Sequence, residues 1–151
     1  MNDLKRILLA EDDLNDLELT LTALQENNIA NEVVVVRDGA EALNYLRRNG
    51  AFQIRQEGNP AVILLDLKMP KVDGLQVLQE VRNDTALKMI PVVILTSSRE
   101  ERDLIESYRL GVNAYVVKPV NFADFMTAIK TLGLFWAVLN EPPPGSLPKS
   151  Y

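Results

Sequence analysis

Five residues that could do chemistry stand at the ends of apolar runs in this sequence. Glu11 and Asp12 follow the first run, Asp66 follows the third, Thr96 ends the fourth, and Lys118 follows the last. An isolated acid in such a place is usually a helix N-cap or turn residue. Together, however, these side chains would meet if the runs are parallel strands, whose carboxyl ends share the edge where ligands bind in open α/β sheets.

Carboxylates gathered at one edge would repel one another unless a cation lay among them. The chain contains neither His nor Cys, so its oxygen ligands favour Mg²⁺ over Zn²⁺. Mg²⁺ held by one or two carboxylates has room for phosphate oxygens, which indicates phosphoryl transfer. In that chemistry Asp66 is the nucleophile that forms an acyl phosphate, while Lys118 and Thr96 bind phosphoryl oxygens.

Composition excludes several other functions. Without His the chain lacks the commonest general base and zinc ligand, and Ser-His-Asp and Cys-His catalysis are impossible. A net charge of −5 argues against sequence-independent nucleic-acid binding. No apolar run approaches the roughly 20 residues of a membrane helix, and the start does not resemble a secretory signal. The absence of Cys is typical of a cytoplasmic protein, which is the location we expect.

The elements that must position these side chains alternate along the chain. Apolar runs predict five strands, at Lys5–Ala10, Glu32–Arg37, Ala61–Leu65, Pro91–Thr96 and Asn113–Pro119. Apolar residues three and four apart predict a helix after each strand, such as the one carrying Leu14, Leu17, Leu21 and Leu24. This alternation predicts a doubly wound α/β fold, with a domain over residues 1–140. We expect residues 141–151, which are rich in Pro, to form a disordered tail.

In their order and spacing these stretches resemble the receiver domains of bacterial two-component response regulators. The resemblance covers roughly Lys5 to Leu139 and rests on the acidic pair in Leu9–Asp12, the phosphoacceptor motif in Leu64–Pro70 with Asp73 and Gly74, the switch hydroxyl in Val92–Ser97, and the aromatic residue and Lys-Pro in Ala114–Pro119. It implies a flavodoxin-like parallel sheet of five strands, in the order 2-1-3-4-5, with five helices.

The resemblance also implies roles for individual residues. Asp66 would be phosphorylated, and Mg²⁺ would be bound by Asp12, Asp66, the main-chain carbonyl of Lys68 and, through water, Glu11. Asp13 is better interpreted as a capping residue.

The phosphoryl group would be bound by Thr96, Ser97 and Lys118. Thr96 would move to a phosphoryl oxygen and the Tyr115 ring would fill the vacated space, so that these two residues form the switch. A core role for Tyr115 is the alternative. In this family the Lys118-Pro119 bond is typically cis.

The expected partners follow from the same resemblance. Because the chain has no His, it cannot carry a phosphohistidine itself. The phosphoryl donor would therefore be a His of a separate histidine kinase or a small phosphodonor. Output would be a change in contact with a downstream protein target, through the fourth helix, fifth strand and fifth helix. We expect no DNA binding, since no DNA-binding helix-turn-helix is found, and no membrane. The protein would be a signalling protein rather than an enzyme, catalysing only its own phosphorylation and dephosphorylation.

Two features resemble the small regulators paired with phytochrome-type histidine kinases. One is the lengthened segment from Arg47 to Pro60, and the other is an extended last helix with Phe135 and Trp136. Regulators of this kind often form dimers, so a homodimer through the final helix is a possible assembly. A hydrophobic cap on the core explains Phe135 and Trp136 equally well.

Three alternatives remain open at this point. An aspartate-nucleophile phosphohydrolase also uses Mg²⁺ and a Lys, but it wants a second acid where this chain has Lys68. A phosphorylation-independent docking module usually lacks one of the acid, Thr or Lys, all of which are present here. A nucleotide or flavin binder needs a Gly-rich turn after the first strand, where this chain has acids.

Overall fold

The structure, a computed structural model, describes residues 6–26, 32–55, 58–97 and 100–118, together with positions 123 and 127. Within these ranges the strands are β1 (Ile7–Ala10), β2 (Val33–Val36), β3 (Val62–Leu65), β4 (Val92–Thr96) and β5 (Ala114–Val117). The α-helices in the same ranges are α1 (Leu14–Glu26), α2 (Gly39–Arg47), α3 (Gly74–Asn83) and α4 (Glu101–Arg109), and a 3₁₀ helix covers Gly50–Phe52.

The strands form one parallel sheet in the order β2-β1-β3-β4-β5, which confirms the predicted fold and strand order. Four predictions fall outside the described residues: the main part of the fifth helix, the cis bond before Pro119, the tail at 141–151 and the dimer contact. None of the helices in the described part of the chain is long and apolar enough to cross a membrane.

Both faces of the sheet are buried, as continuous apolar strands require. Because side chains alternate along a strand, β1 sends Leu8 and Ala10 into one core cluster and Ile7 and Leu9 into the other. The first cluster includes residues of α2 and α3, whereas Leu24 of α1 belongs to the second. The three central strands therefore have little freedom to shift, and their carboxyl ends are fixed points.

Helix caps set where the chain turns away from the edge of the sheet. The carboxylate of Asp13 accepts a hydrogen bond from the Asp16 amide at 2.9 Å, which agrees with its interpretation as a cap of α1. Asp38 caps α2 through the Glu41 amide in the same way, at 2.7 Å. Asp73 caps α3, accepting from the Gln76 amide at 2.9 Å.

The described part of the lengthened connection between α2 and β3 is held against α2 by Arg55. The Arg55 guanidinium donates to the carbonyls of Tyr45 at 3.0 Å and Gly58 at 2.9 Å, and lies 4.2 Å from the centroid of the Tyr45 ring. Phe52 packs edge-on against the same ring. A cation that satisfies carbonyls at the end of α2 is favourable there, and it holds this segment against the helix.

The close approach of α3 to the end of β3 depends on Gly74. A Cβ atom at this position would lie 2.2 Å from the Asp66 carbonyl oxygen and 2.8 Å from Leu67 Cα. The Gly74 amide donates to the Leu67 carbonyl at 2.9 Å, so the backbone rather than a side chain makes the contact. Gly74 thereby fixes the main chain at Asp66 and Leu67.

We expect Gly74→Ala to lower the free energy of unfolding by about 2–3 kcal/mol, because the added methyl group displaces backbone at Asp66. Urea denaturation followed by circular dichroism measures the change. Gly58→Ala is the matched control, since nothing lies within 4 Å of a Cβ atom there. Equal stability of the two variants would contradict this account of Gly74.

Candidate functional site

Sheet register brings together the acids that the sequence predicted. Ala10 lies opposite Leu65 in neighbouring strands, so the next residues, Glu11 and Asp66, leave the sheet side by side. The Asp66 amide donates to the Ala10 carbonyl at 3.1 Å, which extends the ladder past the strands. One carboxylate oxygen from each of Glu11, Asp12 and Asp66 lies within 4.8 Å of the others.

Lys118 enters the same cluster from the end of β5. Its Nζ lies 2.5 Å from Glu11 Oε1, 2.9 Å from Asp16 Oδ2 and 3.4 Å from Asp66 Oδ2. The side chains of Lys118, Glu11 and Asp66 are 7%, 2% and 8% exposed, whereas that of Asp16 is 35% exposed. One ammonium group thus faces three carboxylates, two of them nearly removed from water.

The protonation equilibria reflect this crowding. Burial, together with the nearby Asp66 carboxylate, raises the pKa of Glu11 to about 7 against the opposing effect of Lys118. Burial alone would lower the pKa of Lys118, but hydrogen bonds to Glu11 and Asp16 and the charge of Asp66 raise it above its ordinary value. Lys118 is therefore a permanent cation, and the excess of negative charge remains on the acids.

The predicted phosphate-binding and switch residues stand around this cluster. Thr96 is fully buried at the end of β4, and its carbonyl accepts from the Lys118 amide at 2.8 Å. Ser97, the next residue, is exposed. Tyr115 is half-buried, pairs with Ile94 in the sheet and packs against the first core cluster. This packing agrees with the core role of Tyr115, and its switching role stays a prediction.

The Lys68 side chain points away from the acids. Its Nζ lies 3.9 Å from Asp103 Oδ2 on α4, and Asp103 is buried. The Lys68 amide lies 3.5 Å from Asp66 Oδ1, so the backbone of Lys68 stays close to the acid while its ammonium group does not. The Lys68 ammonium group is therefore not among the groups of the acidic cluster, and the role of its main-chain carbonyl as a metal ligand stays a prediction.

Two residues at the site were not found from the sequence. Arg37, directly after β2, donates to the carbonyls of Glu11 at 3.0 Å and Asp12 at 2.7 Å and so holds the acidic pair by its backbone. Its position at a strand end was an available signal. Asp16 contacts Lys118 from the first turn of α1, where an acid is commonly explained by the helix dipole alone.

The donor set fits a divalent cation with hard-ligand preference. Glu11, Asp12 and Asp66 offer three carboxylates, and no nitrogen or sulfur ligand is available in a chain without His and Cys. A cation there would reduce the repulsion that raises the pKa of Glu11. Asp12 is the most accessible of the three acids.

We expect Mg²⁺ to raise the melting temperature of the protein, because it binds the folded cluster and not the unfolded chain. Asp12→Asn removes a ligand and should weaken Mg²⁺ binding at least about tenfold, which shrinks this shift. Calorimetric titration and thermal denaturation measure both effects. Asp13→Asn is the matched control, since Asp13 is adjacent in sequence but caps α1. Equal losses of affinity in the two variants would contradict the assignment of Asp12.

Comparison with known protein families gives a match over most of the chain. The profile of the response regulator receiver domain matches residues 7–130. The response regulator Rcp1 of Synechocystis sp. (strain ATCC 27184 / PCC 6803 / Kazusa) is 40% identical over 135 residues, which cover 89% of this chain and 90% of Rcp1.

Solved structures agree with this match. The bacteriophytochrome response regulator RtBRR is 69% identical, with a TM-score of 0.83 over 95% of this chain and 86% of that one. The phosphorylated cyanobacterial phytochrome response regulator RcpA is 41% identical, with a TM-score of 0.75 over 93% and 99%. The Mn²⁺-bound form of Rcp1 is 38% identical, with a TM-score of 0.74 over 93% and 99%. The chain belongs to the family of response regulator receiver domains, the signalling proteins of two-component systems.

Proposed function

We propose that Asp66 accepts a phosphoryl group from a histidine kinase, with Mg²⁺ bound beside it, and that the phosphorylated protein signals by changing its protein contacts. The observation that carries this proposal is the grouping of Asp66 with Lys118 and with the other two acids. Its carboxylate lies 3.4 Å from Lys118 Nζ and within 4.8 Å of ligand oxygens of Glu11 and Asp12. An anionic nucleophile that lies close both to a fixed cation and to acids able to ligate a metal is suited to phosphoryl transfer.

The transfer assigns a task to each residue. A carboxylate oxygen of Asp66 attacks phosphorus, the bond from phosphorus to the donor nitrogen breaks, and the donor imidazole leaves with the electron pair. Lys118 binds one phosphoryl oxygen, and Thr96, with Ser97 beside it, supplies hydrogen bonds to others. Asp12, Asp66 and the Lys68 carbonyl, with Glu11 nearby, would hold Mg²⁺, which would supply positive charge to neutralise the transferred group.

The relatives support this assignment in two ways. RcpA has been solved in a phosphorylated state, and Rcp1 has been solved with Mn²⁺ bound. Both resemble this chain over 93% of its length, with TM-scores of 0.75 and 0.74. The same chemistry in this chain requires a divalent ion and a phosphorylatable Asp, and the acidic cluster offers both.

The contacts of Lys68 argue against the hydrolase alternative. An aspartate-nucleophile hydrolase needs an acid at this position to protonate its leaving group. Lys68 is not a carboxylic acid and cannot serve in this way, and its Nζ lies 3.9 Å from Asp103 Oδ2. We infer that the acyl phosphate on Asp66 persists as a signal, and that its hydrolysis regenerates the resting protein without a second substrate.

We expect incubation with acetyl phosphate and Mg²⁺ to add the mass of one phosphoryl group to the intact protein. Asp66→Asn should abolish this adduct, because an amide is not a nucleophile here. Intact-mass spectrometry, with and without EDTA, gives the result. An adduct that survives both EDTA and Asp66→Asn at full yield would contradict the proposal.

A second measurement separates this function from that of a hydrolase. Phosphate release from excess acetyl phosphate is followed alongside the adduct. A phosphoacceptor accumulates about one phosphoryl group per chain, whereas a hydrolase releases phosphate continuously with little adduct. Asp38→Asn is the control variant for Asp66→Asn, because Asp38 also follows a strand but caps α2.

For the kinase partner we propose a phytochrome-type histidine kinase, on the strength of the likeness to RtBRR and Rcp1. We propose that the downstream target binds to the outer face of α4, where Leu104, Ile105 and Tyr108 are exposed apolar residues. Exposed apolar residues grouped on one helix face are typical of protein contacts. A cytoplasmic location belongs to the same proposal, since the donor kinase domain acts there.

We propose in addition that the chain forms a homodimer through its final helix region, which carries Phe135 and Trp136. Light scattering coupled to gel filtration should give twice the mass of 16.9 kDa, and Trp136→Ala should return the mass to that of one chain. Tyr108→Ala on α4 is the control and should leave the dimer intact. A wild-type protein that elutes with the mass of one chain, before and after phosphorylation, would refute the dimer.

A further inference from the structure

Among the described residues, the carboxylates paired with Lys118 are those of Glu11, Asp16 and Asp66, and of these only Asp16 was not a predicted site residue. Its Oδ2 accepts a hydrogen bond from Lys118 Nζ at 2.9 Å, across 102 positions of sequence. The Asp13 carboxylate accepts a hydrogen bond from the Asp16 amide and so fixes the backbone of Asp16. Asp16 thus stands at a defined place beside the lysine that binds the phosphoryl group.

The three carboxylates around Lys118 are not equivalent. Glu11 and Asp16 accept hydrogen bonds at 2.5 and 2.9 Å, whereas Asp66 Oδ2 lies 3.4 Å away as an ion pair. In the structure, therefore, Lys118 is bonded to the two acids that are not phosphorylated. Asp16 draws the ammonium group towards α1, away from the nucleophile.

We propose that Asp16 is a positioning residue that holds Lys118 in the resting protein and releases it when Asp66 is phosphorylated. Phosphorylation replaces the single negative charge of the Asp66 carboxylate with about two on the phosphoryl group, whose oxygens need one of the three N–H bonds of the ammonium group. Glu11 cannot give up its bond cheaply, because its side chain is 2% exposed. Asp16 is 35% exposed, so water replaces the lysine at low cost.

The role of Asp16 rests on the proposed phosphorylation of Asp66. The Asp16 carboxylate competes with the phosphoryl oxygens for Lys118, and as a like charge bonded to the same ammonium group it repels them. Removing this charge while keeping the shape of the side chain should therefore favour phosphoryl transfer. A residue that only stabilised the fold would have the opposite or no effect on the rate.

The test is the rate of adduct formation from acetyl phosphate with Mg²⁺, followed by intact mass. We expect Asp16→Asn to be about three- to tenfold faster than wild type, the size of one like-charge interaction near a protein surface. Asp16→Glu restores the carboxylate and should stay within about twofold of wild type. Glu18→Gln removes an exposed charge from the same helix and serves as the matched control. An Asp16→Asn rate equal to or below that of wild type would overturn the proposal.

A stability measurement tests the contact without using phosphorylation. Asp16→Asn should lower the urea midpoint in the wild-type background and should not lower it in Lys118→Met, because the partner is then absent. Equal downward shifts in both backgrounds would show that Asp16 does not act through Lys118. If wild type itself forms no adduct, the proposed function fails, whereas an adduct without acceleration in Asp16→Asn refutes only the role of Asp16.

Discussion

Two buried carboxylates on adjacent strands are the constraint on which the rest of this structure depends. Pairing of β1 with β3 forces Glu11 and Asp66 together at the edge of the sheet, and neither can reach bulk water. An unpaired buried charge is costly, so a cation must come from elsewhere in the fold. Lys118 provides it from β5, although β3 and β4 lie between β5 and β1 in the sheet. The charge balance of the site thus ties the central strand to the edge strand.

The backbone, rather than side-chain packing, holds these groups in place. Hydrogen bonds continue one residue past the strands, from the Glu11 amide to Val36 and from the Asp66 amide to Ala10. Arg37 secures the next turn by donating to two carbonyls. The charged side chains of the site therefore extend from a main chain that hydrogen bonds hold rigid. Preorganisation of this kind is what lets a protein stabilise charge that develops during a reaction.

Much of this arrangement could be predicted from the sequence because its signals are local. An unbroken apolar run marks a strand buried on both faces, and the residue that follows it must lie at the edge, which placed Asp66, Glu11 and Lys118 correctly. Contacts between distant elements carry no such signal. Asp16 resembles any acid in the first turn of a helix, and the pairing of Lys68 with Asp103 joins a loop to a helix that begins 33 positions later, at Glu101. Their partners are set by packing that no short stretch encodes.

The same contacts connect the acidic cluster to the α4 face that we propose binds the downstream target. Lys68 links the loop after Asp66 to α4 through Asp103, and a cavity of about 270 Å³ lies between that loop and the helix. Thr96, at the end of β4, is linked to the cluster because its carbonyl accepts a hydrogen bond from the Lys118 amide. This cavity gives the loop after Asp66 room to shift against α4. We therefore expect a change of charge at Asp66 to alter the position of that loop beside the apolar residues exposed on α4.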